Sequence, residues 1–211
     1  MSSRSGTRKP RRAPFRWLMP ILFCLSQPAL SGGSFLPDTG FLEVAPEYRN
    51  LPVLHYEISL AERKLFEYID GELKDTYPIA VGRPGLGTPT GNFRIYKVDW
   101  NPDWTPPASS WAAKWDYTPP GHPDNPMGRV RLRYFPPYSL HGTDNTWSLG
   151  KAVSHGSVRV ANEDIIGIAR RIMRHGGIKR SEAWFSETLS TPTEMRRIVL
   201  PRGVALLVRP E

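Results

Sequence analysis

Apolar and polar side chains alternate from Leu54 to Leu60. Leu54, Tyr56, Ile58 and Leu60 share one face and His55, Glu57 and Ser59 the other, which predicts a half-buried strand. A tight connection over 61–64 leads to a second strand over 65–69. Asp70-Gly71 is a two-residue hairpin signal, because both positions of such a turn need positive φ, and a third strand follows over 77–81. The Thr88-Pro89-Thr90-Gly91 run is turn chemistry ahead of a strand over 92–98. Further strands are expected over 130–135 and 138–140, and a closing pair over 197–200 and 204–208.

The period changes once. Ile165, Ile168, Ala169 and Ile172 fall on one face of a helix predicted over 162–175. Asn162 is its expected cap, Glu163 and Asp164 sit in its positive first turn, and Arg170, Arg171 and Arg174 precede a stop at Gly176-Gly177. Between 99 and 128 neither period holds, and Trp100, Trp104, Trp111, Trp115 and Tyr117 are spread among prolines. A loop this long in a compact domain is functional or disordered, and its aromatics argue against disorder. It is read as a lid or groove wall offering Trp115 and Tyr117 to a ligand, the alternative being a proline-stiffened flap.

Composition agrees with short strands and structured loops: 22 prolines, 18 glycines and 11% aromatics in 211 residues, enough for one domain with a real core. The formal charge of +8 invites a nucleic-acid partner, but its location removes that reading. Residues 1–31 hold Arg4, Arg8, Lys9, Arg11, Arg12 and Arg16 and no acid, and setting these six aside brings the charge to +2. The basic stretch precedes an apolar run from Trp17 to Leu25 and small residues near Ser31, the pattern of a signal peptide. The run is short of the ~20 residues that span a bilayer. The expected organisation is therefore a signal peptide over 1–31, a linker or strap over 32–50 and one domain over 51–211. No membrane span would remain after cleavage, and the destination is the periplasm or cell envelope. Arg11-Arg12 has poor flanks for a twin-arginine signal. Cys24, the sole cysteine, lies within the leader, so the mature chain has no thiol.

The densest polar cluster is His141-Gly142-Thr143 followed by Ser154-His155-Gly156-Ser157-Val158-Arg159. Ser157 offers a nucleophile, His141 and His155 offer bases, and Arg159 offers a carboxylate partner. Glycines there allow close backbone approach, and consecutive N–H groups suit an oxyanion. On chemistry alone the same residues also suit structural hydrogen bonding. The spacing of His122, His141 and His155 matches no zinc signature, so no metal and no cofactor is expected.

From about Leu54 to Arg209 the chain resembles the L,D-transpeptidase catalytic domain, the YkuD-like family that cross-links bacterial peptidoglycan. The resemblance runs through Asp70-Gly71, Val81-Gly82, Thr88-Pro89-Thr90-Gly91-Asn92-Phe93, Asn125-Pro126-Met127-Gly128, His141-Gly142-Thr143 and the Ser154–Arg159 run, in that order. It implies a mostly-β sandwich or open barrel with one main helix. It further implies His141 as general base and Ser157 at the nucleophile position. Gly156 and Ser157 N–H would form an oxyanion hole, His155 would shape the site, and Arg159 would brace it or bind a stem-peptide carboxylate. A backbone carbonyl at Gly142 or Thr143 would hold the histidine. The departure is Ser157, which stands where the family has cysteine. A thiol of pKa ~8.5 forms a thiolate far more readily than an alcohol ionises.

Peptidoglycan stem peptides are thus the expected partners, with carbapenems as weak ligands. Three functions stay open: a serine-based transpeptidase, a catalytically silent peptidoglycan-binding or regulatory module, and a serine L,D-carboxypeptidase or hydrolase. Export has its own test. N-terminal sequencing of envelope-fraction protein should find a mature start between Pro28 and Ser34; cytosolic protein starting at Met1 would refute the leader.

Overall fold

Alternation of the kind that marks 54–60 recurs along much of the sheet, although the core side changes between Ile95 and Val98. The computed structural model describes residues 53–211. The leader, its cleavage near Ser31, the strap over 32–50 and the start of the expected domain at 51 lie outside the described residues. The strands are β1 (Leu54–Ser59), β2 (Lys64–Ile69), β3 (Glu72–Pro78), β4 (Val81–Gly82), β5 (Gly91–Trp100), β6 (Val130–Phe135), β7 (Tyr138–Thr143), β8 (Ala152–Ser154), β9 (Val158–Ala161) and β10 (Arg196–Arg209). Helices α1 (Asn162–His175) and α2 (Glu182–Ser190) complete the chain.

Eight strands form one sheet in the order β3-β2-β1-β10-β5-β6-β7-β9, and β4 pairs with β8. The chain leaving β3 at one end of the sheet reaches the other end. Ala80 and Arg159 of β9 exchange backbone hydrogen bonds of 3.0 and 2.9 Å, and Val81 pairs with Ala152. The sheet is thereby nearly closed into a barrel. Its interior holds Tyr56, Ile58, Leu65, Ile95, Val98, Leu132, Leu140 and Val158, with Ile165, Ile168, Ala169, Ile172 and Met173 of α1 packed against them.

The expected hairpin is present, with Asp70 at φ 54° and Gly71 at φ 81°. Four expectations change. The third strand, expected over 77–81, starts directly after the hairpin and spans Glu72–Pro78. The closing strand pair is one strand, β10, with an irregularity between Val199 and Val204 where its pairing with β5 shifts. A second helix, α2, fills a stretch left unassigned, capped by Ser181, whose side chain accepts from Trp184 N–H. Asn162 opens α1 at the expected position, but Ala161 is the cap residue and no side chain caps the helix. Asn162 works across the fold instead. Its Oδ1 accepts from Arg129 N–H at 2.8 Å and its Nδ2 donates to Asp144 at 2.6 Å.

The long loop before β6 is anchored by polar side chains. Asn101 donates from Nδ2 to the carbonyls of Thr188, Thr191 and Glu194. Asn125 donates to the carbonyls of Pro102 and Pro119 and accepts Met127 N–H. Trp104 and Thr118 exchange two backbone bonds of 2.8 Å. Gly128, at φ +61°, completes the return: a Cβ there would collide with Asn162 Oδ1 and the Gly142 carbonyl. Gly71 also has positive φ, but a Cβ there meets nothing within 4 Å. Gly71→Ala should cost about 1–2 kcal/mol, the left-handed penalty alone. Gly128→Ala should cost at least ~2 kcal/mol more, because packed backbone must shift. Urea denaturation of the two variants checks this, and equal losses would sink the steric account.

Candidate functional site

Strand register assembles the site. On adjacent strands Arg197 pairs with Asp99, Asp99 with Arg131, Arg131 with His141 and His141 with Arg159. Side chains directly opposite in a sheet share a face, so this row runs across β10, β5, β6, β7 and β9 on the side turned away from Val98, Leu132 and Leu140. The loop over 101–128 rises beside it. Between them lies a groove of about 1150 Å³ bordered by His141, Ser157, His155, Arg159, Tyr138 and Trp115, among others. His141, Ser157, His155, Arg159 and Trp115 are thus brought together. Tyr117, expected as a second aromatic contact, is 57% exposed and is not among the residues lining the groove. His122 is exposed beside Asp124.

His141 is 3% exposed. Its Nδ1 lies 2.9 Å from the Gly142 carbonyl oxygen. A carbonyl only accepts, so Nδ1 carries the proton and Nε2 keeps its lone pair. Burial is the main force pushing the pKa of His141 down to about 4, the Gly142 bond opposes it, and the charges of Arg159 and Arg131 push it lower still. The imidazole is therefore neutral at physiological pH. Asp144, the nearest acid in sequence, is engaged by Asn162.

Ser157 ends a turn held by Ser154. The Ser154 hydroxyl donates to the Ser157 carbonyl at 2.6 Å and accepts Gly156 N–H at 3.1 Å. Gly156 N–H is therefore committed to the turn rather than free for an oxyanion. Ser157 N–H has no acceptor among the described residues. What Gly156 supplies is conformation: its φ is +107°, and a Cβ would strike the Tyr138 ring. Ser157 Oγ accepts Ser139 N–H at 3.2 Å, which fixes the position of the hydroxyl oxygen. No hydrogen bond joins His141 and Ser157 among the described residues.

His155 stacks on Trp111 with centroids 3.8 Å apart and planes 12° from parallel. Burial, then Arg83 and Arg159, lowers its pKa. The guanidinium of Arg159 is half-buried and has no hydrogen bond or ion pair among the described residues. Trp115, 50% exposed, meets Trp104 edge-on at 6.2 Å.

Sequence reasoning missed Arg131, Arg133 and Arg197. Asp99 is fully buried and holds Arg131 at 3.1 Å, Arg133 at 2.6 Å and Arg197 at 3.0 Å. Burial works to raise its pKa, and the guanidiniums of Arg133, Arg131 and Arg197 win, leaving it below the usual carboxylate value. The signal was present in Val130-Arg131-Leu132-Arg133, two cations at a spacing of two on one strand face.

The chain is 35% identical over 143 residues to the probable L,D-transpeptidase YbiS of Escherichia coli K12, covering 63% of this chain and 47% of that protein. It is 32% identical over 142 residues to the probable L,D-transpeptidase ErfK/SrfK of Salmonella typhimurium, covering 62% and 46%. The chain spans about half the length of these curated relatives. Among solved structures, the L,D-transpeptidase from Mycobacterium smegmatis aligns with a TM-score of 0.48 at 15% identity, covering 75% of this chain and 59% of that one. Residues 55–192 match the L,D-transpeptidase catalytic domain, YkuD, and the chain belongs to that family.

Proposed function

We propose that the protein is exported to the cell envelope and takes peptidoglycan stem peptides into this groove. There Ser157 would perform slow acyl transfer of the L,D-transpeptidase type. The observation that carries the reading is the setting of His141: oriented by a carbonyl, neutral, and lacking a carboxylate partner. Serine hydrolases hold the equivalent histidine on a buried acid, which stabilises the imidazolium as it forms. Here two arginines face the ring, so taking the serine proton is disfavoured. The same setting is less of an obstacle to a thiol, which ionises more readily.

In the proposed reaction, Ser157 Oγ forms a bond to the substrate carbonyl carbon while its proton passes to His141 Nε2. The oxyanion is received by Ser157 N–H. Collapse breaks the carbon–nitrogen bond, and the proton leaves His141 with the departing amine. An incoming amine or water then resolves the ester. Trp115 walls the groove and Arg159 receives a peptide carboxylate.

Two outcomes check this reading. Unfolded histidine binds a proton near pH 6.5, whereas folded His141 remains neutral until about pH 4. The folded state therefore loses stability as pH falls through that window, by about 2–3 kcal/mol at pH 4.5. Urea denaturation at pH 7 and pH 4.5 should show this loss in the wild type and much less of it in His141→Gln. Equal pH dependence in both would refute a buried neutral histidine. The second outcome concerns Ser157→Cys. Incubated with a disaccharide-tetrapeptide, or with a carbapenem, and followed by mass spectrometry, the variant should acylate roughly 10²-fold faster than the wild type. Rapid wild-type acylation at Ser157 would establish an efficient serine enzyme instead, and an inert folded variant would leave peptide binding as the function.

A further inference from the structure

The groove is lined by six basic side chains and two acidic ones; Lys114 lies over the Trp115 ring in the long loop, and the five arginines fall into two groups on either side of His141. Arg83 and Arg159 lie on the β9 side. On the other side Arg131, Arg133 and Arg197 gather on Asp99. Arg131 is neutralised twice, since its Nη2 is also 3.1 Å from Asp103 Oδ1. The other two are not. Arg133 and Arg197 each touch Asp99 through Nε alone. Among the described residues the terminal nitrogens of Arg133 have no acceptor, and Arg197 Nη2 meets only the weak acceptor Met195 Sδ at 3.7 Å.

A purely structural pairing of Asp99 needs one bidentate guanidinium. Three crowd it here, and after burial the charge of Arg133 is the largest influence lowering the pKa of Arg131. A buried carboxylate thus aligns two guanidiniums by their inner nitrogens and leaves their outer nitrogens on the groove. We infer that Arg133 and Arg197, fixed by Asp99, form a second anion subsite that takes a free carboxylate of the bound peptide, remote from the carbonyl at Ser157. Arg133 pairs with Ser139, whose N–H reaches Ser157 Oγ. Arg133 therefore lies roughly two strand spacings, or ~10 Å, from the nucleophile, and Asp99, on which both guanidiniums meet, about three, or ~14 Å. About three to four residues of extended peptide bridge that gap. With Arg159 at the opposite end, the groove selects a peptide carrying negative charge on both sides of the reacting carbonyl.

The inference rests on the stem-peptide reading, and the test separates the two. A stem tetrapeptide is prepared with each free carboxylate converted in turn to a carboxamide, and binding to the wild type is measured by calorimetry. One carboxamide should weaken binding by about 10-fold or more, the range for a hydrogen-bonded charge, and less so at high salt. Arg133→Gln and Arg197→Lys should lose that discrimination while binding the carboxamide as the wild type does. Because Arg159 is itself assigned a peptide carboxylate, the effect is located by the variants and by an arm that needs none of them, so a misfolded variant leaves the test intact. Glutarate supplies an arm independent of the peptide. It should shift the NMR signals of the Arg133 and Arg197 Nε–H groups, and if it does so while the tetrapeptide fails to bind, the subsite stands and the stem-peptide reading falls. Equal affinity for all peptide forms would overturn the subsite, and with it the carboxylate role of Arg159, while leaving stem-peptide binding in place. Displacement of glutarate by lower concentrations of inorganic phosphate would overturn the carboxylate assignment in favour of a phosphate site.

Discussion

A carboxylate with no exposure, placed in the middle of a sheet, has to be met by positive charge or give up its own. Asp99 meets that requirement through Arg131, Arg133 and Arg197, on its own strand's two neighbours. Much of the site follows from this. The arginines keep one face of β5, β6 and β10 polar where the other face is core. They also place a cation beside His141 on the next strand. The neutrality of His141 is therefore partly a property of Asp99 and its partners, two strands away.

Arginines on both sides, and no acid behind the ring, make a frame suited to a nucleophile that brings its own acidity. A thiol meets that condition and a hydroxyl does not. The turn around Ser157 is nevertheless complete. Ser154 closes it, Gly156 bends it, and Ser139 N–H addresses the oxygen.

Most of the strands were legible because the pattern of Leu54, Tyr56 and Ile58 is a property of local chain geometry. The helix over 162–175 was legible for the same reason at a different period. Two errors have one cause. Whether 197–208 is one strand or two depends on a shifted register against β5, and whether Asn162 caps α1 depends on Arg129 arriving from far along the chain. Both are tertiary facts that no local window contains. His141 and Ser157 stood out by family resemblance, whereas Arg133 and Arg197 did not. Their meaning comes from Asp99, 34 and 98 residues away in sequence.

The closure of the sheet through Ala80 also limits how a peptide can be read. Many peptide-binding domains offer an open strand edge, and the ligand adds itself as another strand through main-chain hydrogen bonds. At Arg159 the outer backbone groups of β9 are already taken by Ala80, and β7 lies on the inner side. The far edge, β3, is mostly exposed and carries Glu72, Lys74 and Asp75, charges of the kind that discourage strand addition. At Arg159, then, strand addition is closed, and a ligand there would be read by side chains. Selectivity at that point would follow the placement of charge and aromatic surface more than the ligand's ability to lie flat as a strand, so bent or branched peptides suit it as well as extended ones.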